Sequence, residues 1–417
     1  MKFQYAEWMA LDRVSTLPQP ILETILCLLP TEEAARTSIL SREWRYKWTN
    51  IPILEFNLRK RTSELTSDIA STIKYIDMHD LHQVLLLRQG PIHELTFSMM
   101  GNWEDHNCFE FDQIILHLSR NHTVKKLRLD GPDSMLHELP KSVFALHDLE
   151  DLDLCDFIVD LPSIFNGFGS LVSLYLNDVK LSTKTLRHLL SNCPSSLESL
   201  NLVSTHLNIR SHVMDFLNSS EYHDVLQDIG ESDDKCTIYE LLKCLPVIED
   251  LTISIDACEW LVLDSVPQEL PISLIHLKYI RLDGMSFVEG SRLAFLLVLI
   301  RCSPNLEKIK LQMALEYNGD QGYGDQEYRA VKDEYSDVWF KHLWLEHLKK
   351  LEISLIRSSH VIEFVKDFVK FILVRSPKLK KVSICSVVHR NQESEMLKTL
   401  LQAPRASPVV IITTNEY

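Results

Sequence analysis

The sequence predicts an α/β protein in which a small three-helix module at the amino terminus is followed by a curved repeat array with parallel strands. Apolar residues at helical spacing, interrupted by prolines, crowd into residues 12–48. Beyond residue 90, a motif of the form x-L-x-x-L-x-L recurs to the carboxyl end. Stretches with helical spacing precede several of these motifs, so helices and strands are expected to alternate.

The amino-terminal segment contains three short helical stretches. Pro20 fits the first turn of the first helix, where a missing N–H costs little, and Pro30 ends that helix. Thr31 is predicted to cap the second helix and Ser41 the third. Because about forty residues rarely form a stable domain alone, a partner or a downstream domain is expected to cover the surplus apolar surface.

The repeated motif predicts a stack of short parallel strands. Its last two apolar residues are two apart, so they share one face of a strand, and stacking successive units buries that face. The middle apolar residues are Leu95, Leu127, Leu152, Leu174, Leu200, Leu251, Ile280, Ile309, Leu351 and Val382. Most gaps between them lie near the roughly 20–29 residues of a leucine-rich repeat. The gap of 51 residues between Leu200 and Leu251 is expected to contain one degenerate repeat.

Helical segments are predicted between some of these strands. Apolar residues at helical spacing occur at Leu186, Leu189 and Leu190, at Leu296, Leu297 and Ile300, and at Ile362, Val365, Val369 and Ile372. Each group is followed by a stop that contains proline. The expected unit is therefore helix, stop and strand.

Two acidic insertions interrupt the array. Residues 215–235 carry a net charge of −6 and residues 316–337 a net charge of −5. Their composition is typical of surface loops, and the second lacks the ligand spacing of a calcium loop. They are candidates for contacts with a target protein.

Composition and charge exclude several classes of function. The 417 residues carry a net charge of −15, which opposes binding to nucleic acid or to an anionic membrane. The densest basic run, Arg59-Lys60-Arg61, is interpreted as a solvated linker, and no basic face is evident. The nine cysteines are scattered, so neither zinc nor a disulfide framework is expected. No signal peptide or membrane span is recognised, which predicts an intracellular protein of the cytoplasm, the nucleus or both.

No catalytic site is predicted. The sequence lacks a glycine-rich nucleotide loop, a His-Glu-x-x-His motif and a Gly-x-Ser-x-Gly motif. His137-Glu138 is interpreted as an isolated pair, and Cys193 and Cys302 as small core residues near helix ends. The chain is therefore expected to be no enzyme and to hold no cofactor and no metal.

Residues 12–48 resemble the F-box of plant F-box/FBD/leucine-rich-repeat proteins. The matching residues are Asp12-Arg13-Val14-Ser15, Leu17-Pro18, Ile21, Ile25-Leu26, Leu29-Pro30, Ala34-Ala35-Arg36-Thr37-Ser38, Leu40-Ser41-Arg42 and Trp44-Arg45-Tyr46-Lys47-Trp48. Residues 348–384 resemble the FBD region of the same family, with Ser358-Ser359-His360 in place of its usual glycine. An FBD-like cap is expected to close the end of the array.

The resemblance implies a role in ubiquitin ligation. In that family the F-box binds the Skp-type adaptor of a cullin (SCF) ligase, and the repeats select the protein substrate. By resemblance, the adaptor-binding residues are Leu17, Pro18, Ile21, Ile25, Leu29 and Trp44, and Trp48 is an alternative brace against the first repeat. A non-ligase interaction scaffold and a small-molecule co-receptor that uses the concave face remain open alternatives.

The resemblance and the repeat pattern together predict the domain organisation. The expected parts are an F-box at 10–50, a linker and first repeat at 51–90, repeats at 91–345, FBD-like terminal repeats at 346–390 and a tail at 391–417.

Overall fold

The structure is a computed structural model that describes most of the chain. The described residues are 14–59, 76–100, 105–132, 136–193, 196–203, 206–207, 238–255, 273–285, 290–313, 343–355, 361–386 and 390–416. Both acidic insertions lie outside these ranges. The chain divides into two compact units, Met1–Leu171 and Val172–Tyr417.

The first unit begins with short helical elements. They are helix α1 (Gln19–Leu26), helix α2 (Thr31–Arg36) and two 3₁₀ helices, Thr37–Ile39 and Trp44–Asn50. Pro20 lies in the first turn of α1, as predicted. The third predicted helix is a 3₁₀ helix, and its start is held by Ser41, whose Oγ accepts a hydrogen bond from the Trp44 N–H at 3.3 Å.

The predicted cap at Thr31 is wrong. Thr31 is already helical, Pro30 occupies the cap position, and no side chain caps α2. The Thr31 hydroxyl is buried and accepts a hydrogen bond from the Glu55 backbone N–H at 2.8 Å. The residue therefore joins the helical segment to the first strand.

A parallel sheet forms the rest of the first unit. Its strands, in spatial order, are β1 (Ile53–Arg59), β2 (Glu94–Met100), β3 (Lys126–Asp130) and β5 (Asp151–Cys155). Helices α3 (Met78–Leu86) and α4 (Asp105–Asn121), the short strand β4 (His137–Glu138) and a 3₁₀ helix (Lys141–Ala145) connect them. Strand β4 pairs with the short strand β6 (Phe157–Ile158), which follows β5. Leu54, Leu95, Leu127 and Leu152 pair in succession across the sheet. The buried ring of Phe97 stacks on Phe56 and meets Phe111 edge-on, at centroid distances of 5.6 and 4.9 Å.

A tight corner follows strand β5. Asp156 adopts a left-handed conformation with φ of 63° and turns the chain into β6. Gly131 donates its N–H to the Cys155 carbonyl at 2.8 Å, and a Cβ at Gly131 would lie 2.5 Å from the Asp156 carbonyl oxygen. Only glycine allows the two backbones to approach this closely.

The second unit contains a larger parallel sheet. Its strands, in spatial and chain order, are β7 (Ser173–Asn177), β9 (Ser199–Val203), β11 (Asp250–Ser254), β12 (Tyr279–Met285), β13 (Lys308–Met313), β14 (Lys350–Leu355), β15 (Lys381–Ser386) and β16 (Ile411–Glu416). The helices are α5 (Thr183–Ser191), α6 (Ile238–Lys243), α7 (Gly290–Cys302), α8 (Val361–Arg375) and α9 (Arg390–Gln402). Short strands β8 (Lys180–Leu181) and β10 (His206–Leu207) pair separately.

The repeat pattern correctly locates ten strands. Every middle apolar residue of the motif lies in a strand and is buried. From Leu174 to Val382 these residues face one another strand by strand. The predicted helices are present as α5, α7 and α8. The pattern omits strand β16, whose equivalent residue is Ile412.

Two expectations about the second unit are corrected. No degenerate repeat adds a strand to this sheet between β9 and β11, because these strands pair directly, with Leu200 opposite Leu251. Residues 391–417 do not form a simple tail, since they contribute most of α9 and the whole of β16. Strand β16 pairs with β15, so the FBD-like segment does not supply the last strand.

Candidate functional site

Helix α1 presents apolar side chains in two directions. Leu22 and Leu26 are fully buried, whereas Ile21 and Ile25 are 47% and 39% exposed. Each pair is four residues apart, so its members lie on the same side of the helix. The inner pair belongs to the core, and the outer pair is available to a partner.

The exposed side of α1 is part of a larger group, here called the exposed apolar set. It consists of Val14, Ile21, Ile25, Leu28, Leu29, Ile39, Leu40 and Tyr46. Leu28 and Ile39 are the most open, at 80% and 84% exposure. These eight residues are among twenty exposed large hydrophobic side chains in the described chain, yet they lie within residues 14–46. Isolated exposed apolar residues are ordinary, but such a concentration is typical of an interaction surface.

Two buried tryptophans support this set from the inside. Trp44 is 7% exposed, and its indole N–H donates to the Ser15 hydroxyl at 2.7 Å. Trp48 is 6% exposed and lies on the same 3₁₀ helix. A buried Trp with a satisfied N–H is a rigid element of a core.

Polar side chains tie the helical elements together. Lys47 donates to the Gln19 amide oxygen at 3.0 Å, and the Gln19 amide nitrogen donates to Glu23 at 2.9 Å. The first of these hydrogen bonds links α1 to the 3₁₀ helix that carries both tryptophans.

A buried arginine joins the helical segment to the first repeat. Arg88 donates one hydrogen bond to the Trp48 carbonyl at 2.8 Å and another to the Ile51 carbonyl. Burial lowers the pKa of the Arg88 guanidinium to about 10, although its charge persists at neutral pH. The Gly90 N–H donates to the Thr49 carbonyl at 3.2 Å. The residues around Trp48 are thus braced on the first repeat.

The structure separates the predicted adaptor-binding residues into two groups. Pro18, Ile21, Ile25 and Leu29 are exposed, and Leu17 is half-buried. Trp44 is buried, so its side chain does not form part of the exposed surface and instead positions it.

Leu28, Ile39 and Leu40 are also exposed, although they are not among the adaptor-binding residues that the resemblance implies. The apolar residues of α1 recur at helical spacing in the sequence, and the structure divides them between a buried side and an exposed side. More apolar residues occur in α1 than one buried face needs, and this surplus is the signal that indicates a second face.

One residue that was considered for catalysis, His137, lies beside a cysteine in the structure. The Cys108 thiol lies 3.8 Å from the Nδ1 of His137 at the edge of an apolar pocket that is also lined by Met99 and Phe111. Among the described residues, no group of three or more His, Cys, Asp or Glu side chains could hold a metal ion. None of the described helices is both long enough and apolar enough to cross a membrane.

Cys302 is expected to resist alkylation in the folded protein. It is 2% exposed, and burial raises the pKa of its thiol to about 11. The reactive thiolate is therefore scarce at pH 8, and access is blocked as well. Mass spectrometry after treatment with iodoacetamide should show Cys302 reacting about a hundredfold more slowly than in urea. Comparable rates with and without urea would contradict this burial.

The fold and the exposed apolar set define a class of protein, in which a helical interaction module precedes leucine-rich repeats with parallel strands. Family comparisons agree with this class. Residues 14–56 match the F-box domain, and residues 113–236 match the model "FBD-associated F-box protein At5g56370, LRR repeats".

Similar proteins come from Arabidopsis thaliana. F-box/FBD/LRR-repeat protein At1g13570 is 30% identical over 95% of this chain and 97% of its own length. Putative F-box/LRR-repeat protein At5g02930 is 23% identical over 96% of this chain and 93% of its own. F-box/FBD/LRR-repeat protein At5g56420 is 31% identical over 45% of this chain and 43% of its own. The chain belongs to the F-box/FBD/LRR-repeat protein family.

Proposed function

We propose that the chain is the substrate-recognition subunit of an SCF-type cullin ubiquitin ligase. Its F-box binds a Skp-type adaptor, and its repeats bind the target protein. The observation that carries this proposal is the concentration of exposed apolar side chains in the segment that matches the F-box. A monomer gains nothing by exposing Leu28 and Ile39, whereas an adaptor would bury them.

The proposed adaptor surface combines residues from the sequence and from the structure. Leu17, Pro18, Ile21, Ile25 and Leu29 keep the role that the resemblance implies, and Leu28, Ile39 and Leu40 extend it. Trp44 keeps these residues in place through its buried ring and its hydrogen bond to Ser15. Charged Arg42, Glu43 and Arg45 are exposed beside the apolar set and would form a polar rim, which is usual at protein interfaces.

The chain would position the target protein and would not itself catalyse ubiquitin transfer. We propose that it carries no catalytic group, cofactor or metal, and that ubiquitin transfer belongs to the assembled ligase. Holding a target near the charged ubiquitin carrier raises its effective concentration. The FBD-like segment would extend the substrate-binding repeats, with the cytoplasm, the nucleus or both as the place of action.

Co-expression with a panel of plant Skp-type adaptors, followed by size-exclusion chromatography, tests the proposal. Wild-type protein is expected to elute with an adaptor as a stoichiometric complex. Substitution of Leu17 and Pro18 together by alanine is expected to weaken the complex about tenfold or more, because interface anchors typically contribute more than 1 kcal/mol each. Calorimetric titration would measure the change.

A matched control uses another exposed apolar pair. Leu86 and Leu87 are 75% and 52% exposed and lie at the end of helix α3, outside the F-box. Their replacement by alanine should leave adaptor binding unchanged. A monodisperse wild-type protein that binds no adaptor would favour the alternative of a non-ligase interaction scaffold.

A further inference from the structure

A row of lysines crosses the sheet of the second unit. Lys308 in β13 lies opposite Lys350 in β14, and Lys350 lies opposite Lys381 in β15. Neighbouring strands are separated by about 4.8 Å, so the three lysines occupy equivalent positions on adjacent strands. Lys308, Lys350 and Lys381 are called the lysine row. This basic face is not evident in the sequence, because the residues that form it are far apart in the chain.

The lysine row lies in a wider basic region. Counted with the residue before each strand, β12 to β15 carry eight Lys or Arg and three Asp or Glu, a net charge of +5. The same count over β7, β9 and β11 gives a net charge of −3. Within a chain of net charge −15, positive charge is therefore concentrated on one part of this sheet.

Ion pairs neutralise a neighbouring row but leave charge on the lysine row. Just before the strands, Lys278 pairs with Glu249 at 2.7 Å and Lys349 pairs with Glu307 at 2.6 Å. In the lysine row, the single carboxylate of Glu352 serves both Lys308 and Lys350. Like charges directly opposite each other on a sheet are destabilising. One carboxylate between two ammonium groups offsets this repulsion incompletely.

Two lysines on this face, Lys381 of the lysine row and its neighbour Lys310, have ammonium groups that are available to an anion. Lys381 is exposed and Lys310 is half-buried, and within the described residues neither ammonium group makes a hydrogen bond or an ion pair. Lys310 lies opposite Glu352, on the same side of β13 as Lys308. The Lys308 ammonium also lies 4.7 Å from the centre of the Tyr279 ring, so a cation–π interaction helps to position the lysine side chain.

We propose that this face binds an acidic polypeptide segment, rich in Asp and Glu, of a partner protein. Side chains on one side of an extended peptide recur about every 6.8 Å, which lets successive carboxylates reach different lysines. The neutral polar side chains of Gln312, Ser354 and Ser383 lie on the same strands and can bond to peptide groups.

The charge pattern favours a peptide over a nucleic acid. Glu352 interrupts the positive charge on this face and would repel a continuous phosphate backbone. A peptide can place its carboxylates beside the lysines and a neutral residue beside Glu352. The inference rests on the proposed function in one respect, that the acidic segment would belong to a substrate.

Fluorescence anisotropy with the full chain tests the inference without an adaptor. The probe is a labelled peptide of Asp, Glu and Ser, and the comparison peptide has Asn and Gln in place of the acids. The acidic peptide is expected to bind, and more weakly as salt is added, because exposed ion pairs are screened. Equal affinity for both peptides would overturn the proposal, as would tighter binding of a single-stranded oligonucleotide of equal charge.

Two sets of substitutions locate the site. The triple variant Lys308→Gln, Lys350→Gln and Lys381→Gln is expected to bind the peptide at least about tenfold more weakly. The control variant Lys141→Gln, Lys184→Gln and Lys398→Gln changes the net charge equally at exposed positions outside the sheet and should bind as wild type. Equal losses in the two variants would refute the assignment.

A gain of affinity provides the sharpest test. Glu352→Gln frees Lys308 and Lys350 from their carboxylate and should tighten peptide binding about twofold to fivefold. A misfolded protein cannot produce this result, and unchanged affinity would count against the proposal. Adaptor binding is measured separately, so an adaptor complex that ignores the acidic peptide would refute this inference alone.

Discussion

Replacement of Phe111 by alanine is expected to lower the free energy of unfolding of the first unit by about 3–5 kcal/mol. The Phe111 side chain is 1% exposed, and its ring meets Phe97 edge-on at 4.9 Å. Alanine removes this contact and leaves a cavity between helix α4 and strand β2, which the backbone closes only in part. Urea unfolding followed by circular dichroism measures the change.

Phe109 on the same helix is the matched control. It is 65% exposed, so Phe109→Ala should change the free energy of unfolding by less than about 0.5 kcal/mol. Equal losses for the two variants would show that helix α4 does not face the sheet through Phe111.

Ile25→Asp is expected to weaken adaptor binding by about a hundredfold or more. Ile25 lies on the exposed side of α1 with Ile21, within the proposed adaptor surface. An interface that buries an unpaired carboxylate loses about 3 kcal/mol or more, which exceeds the effect of truncation. Calorimetry of the purified chain with its adaptor would measure the affinity.

Leu86→Asp introduces the same charge at another exposed helical position. Since Leu86 lies in α3, outside the F-box, this variant should bind the adaptor as wild type. Circular dichroism of both variants would establish that the overall helix content is unchanged. If Ile25→Asp kept its helix content and its wild-type affinity, this side of α1 would not be the adaptor surface.

The sequence predicts the repeat strands well because their chemistry is local. Two apolar residues in alternate positions must face the same way, so Leu251 and Ile280 could be placed in strands from their neighbours alone. Strand pairing depends on residues that are far apart in the chain. The sequence therefore does not show that β9 pairs directly with β11, although Leu200 and Leu251 are 51 residues apart. Ile411 and Ile412 were not predicted to lie in a strand, because no leucine motif precedes them.

The candidate sites were harder to predict because exposure depends on packing. Helical spacing predicts that Ile21, Leu22 and Ile25 lie in one helix, but it does not show which side meets the core. The lysine row depends on the register of strands separated by long stretches of chain. In the sequence, the lysine row is indicated only by the doublets Lys349-Lys350 and Lys380-Lys381.

The hydrogen bonds of Arg88 determine how the F-box could be transplanted to another protein. A segment that ends at residue 50 would lose two hydrogen bonds. The Thr31 hydroxyl would no longer accept from the Glu55 N–H, and the Trp48 carbonyl would no longer accept from Arg88. The segment to be transferred therefore extends through strand β1 and helix α3 to Gly90, whose N–H donates a hydrogen bond to the Thr49 carbonyl. A chimeric protein that carries this F-box would need the longer segment, since the hydrogen bonds of Arg88 and Gly90 hold the end of the F-box on the first repeat.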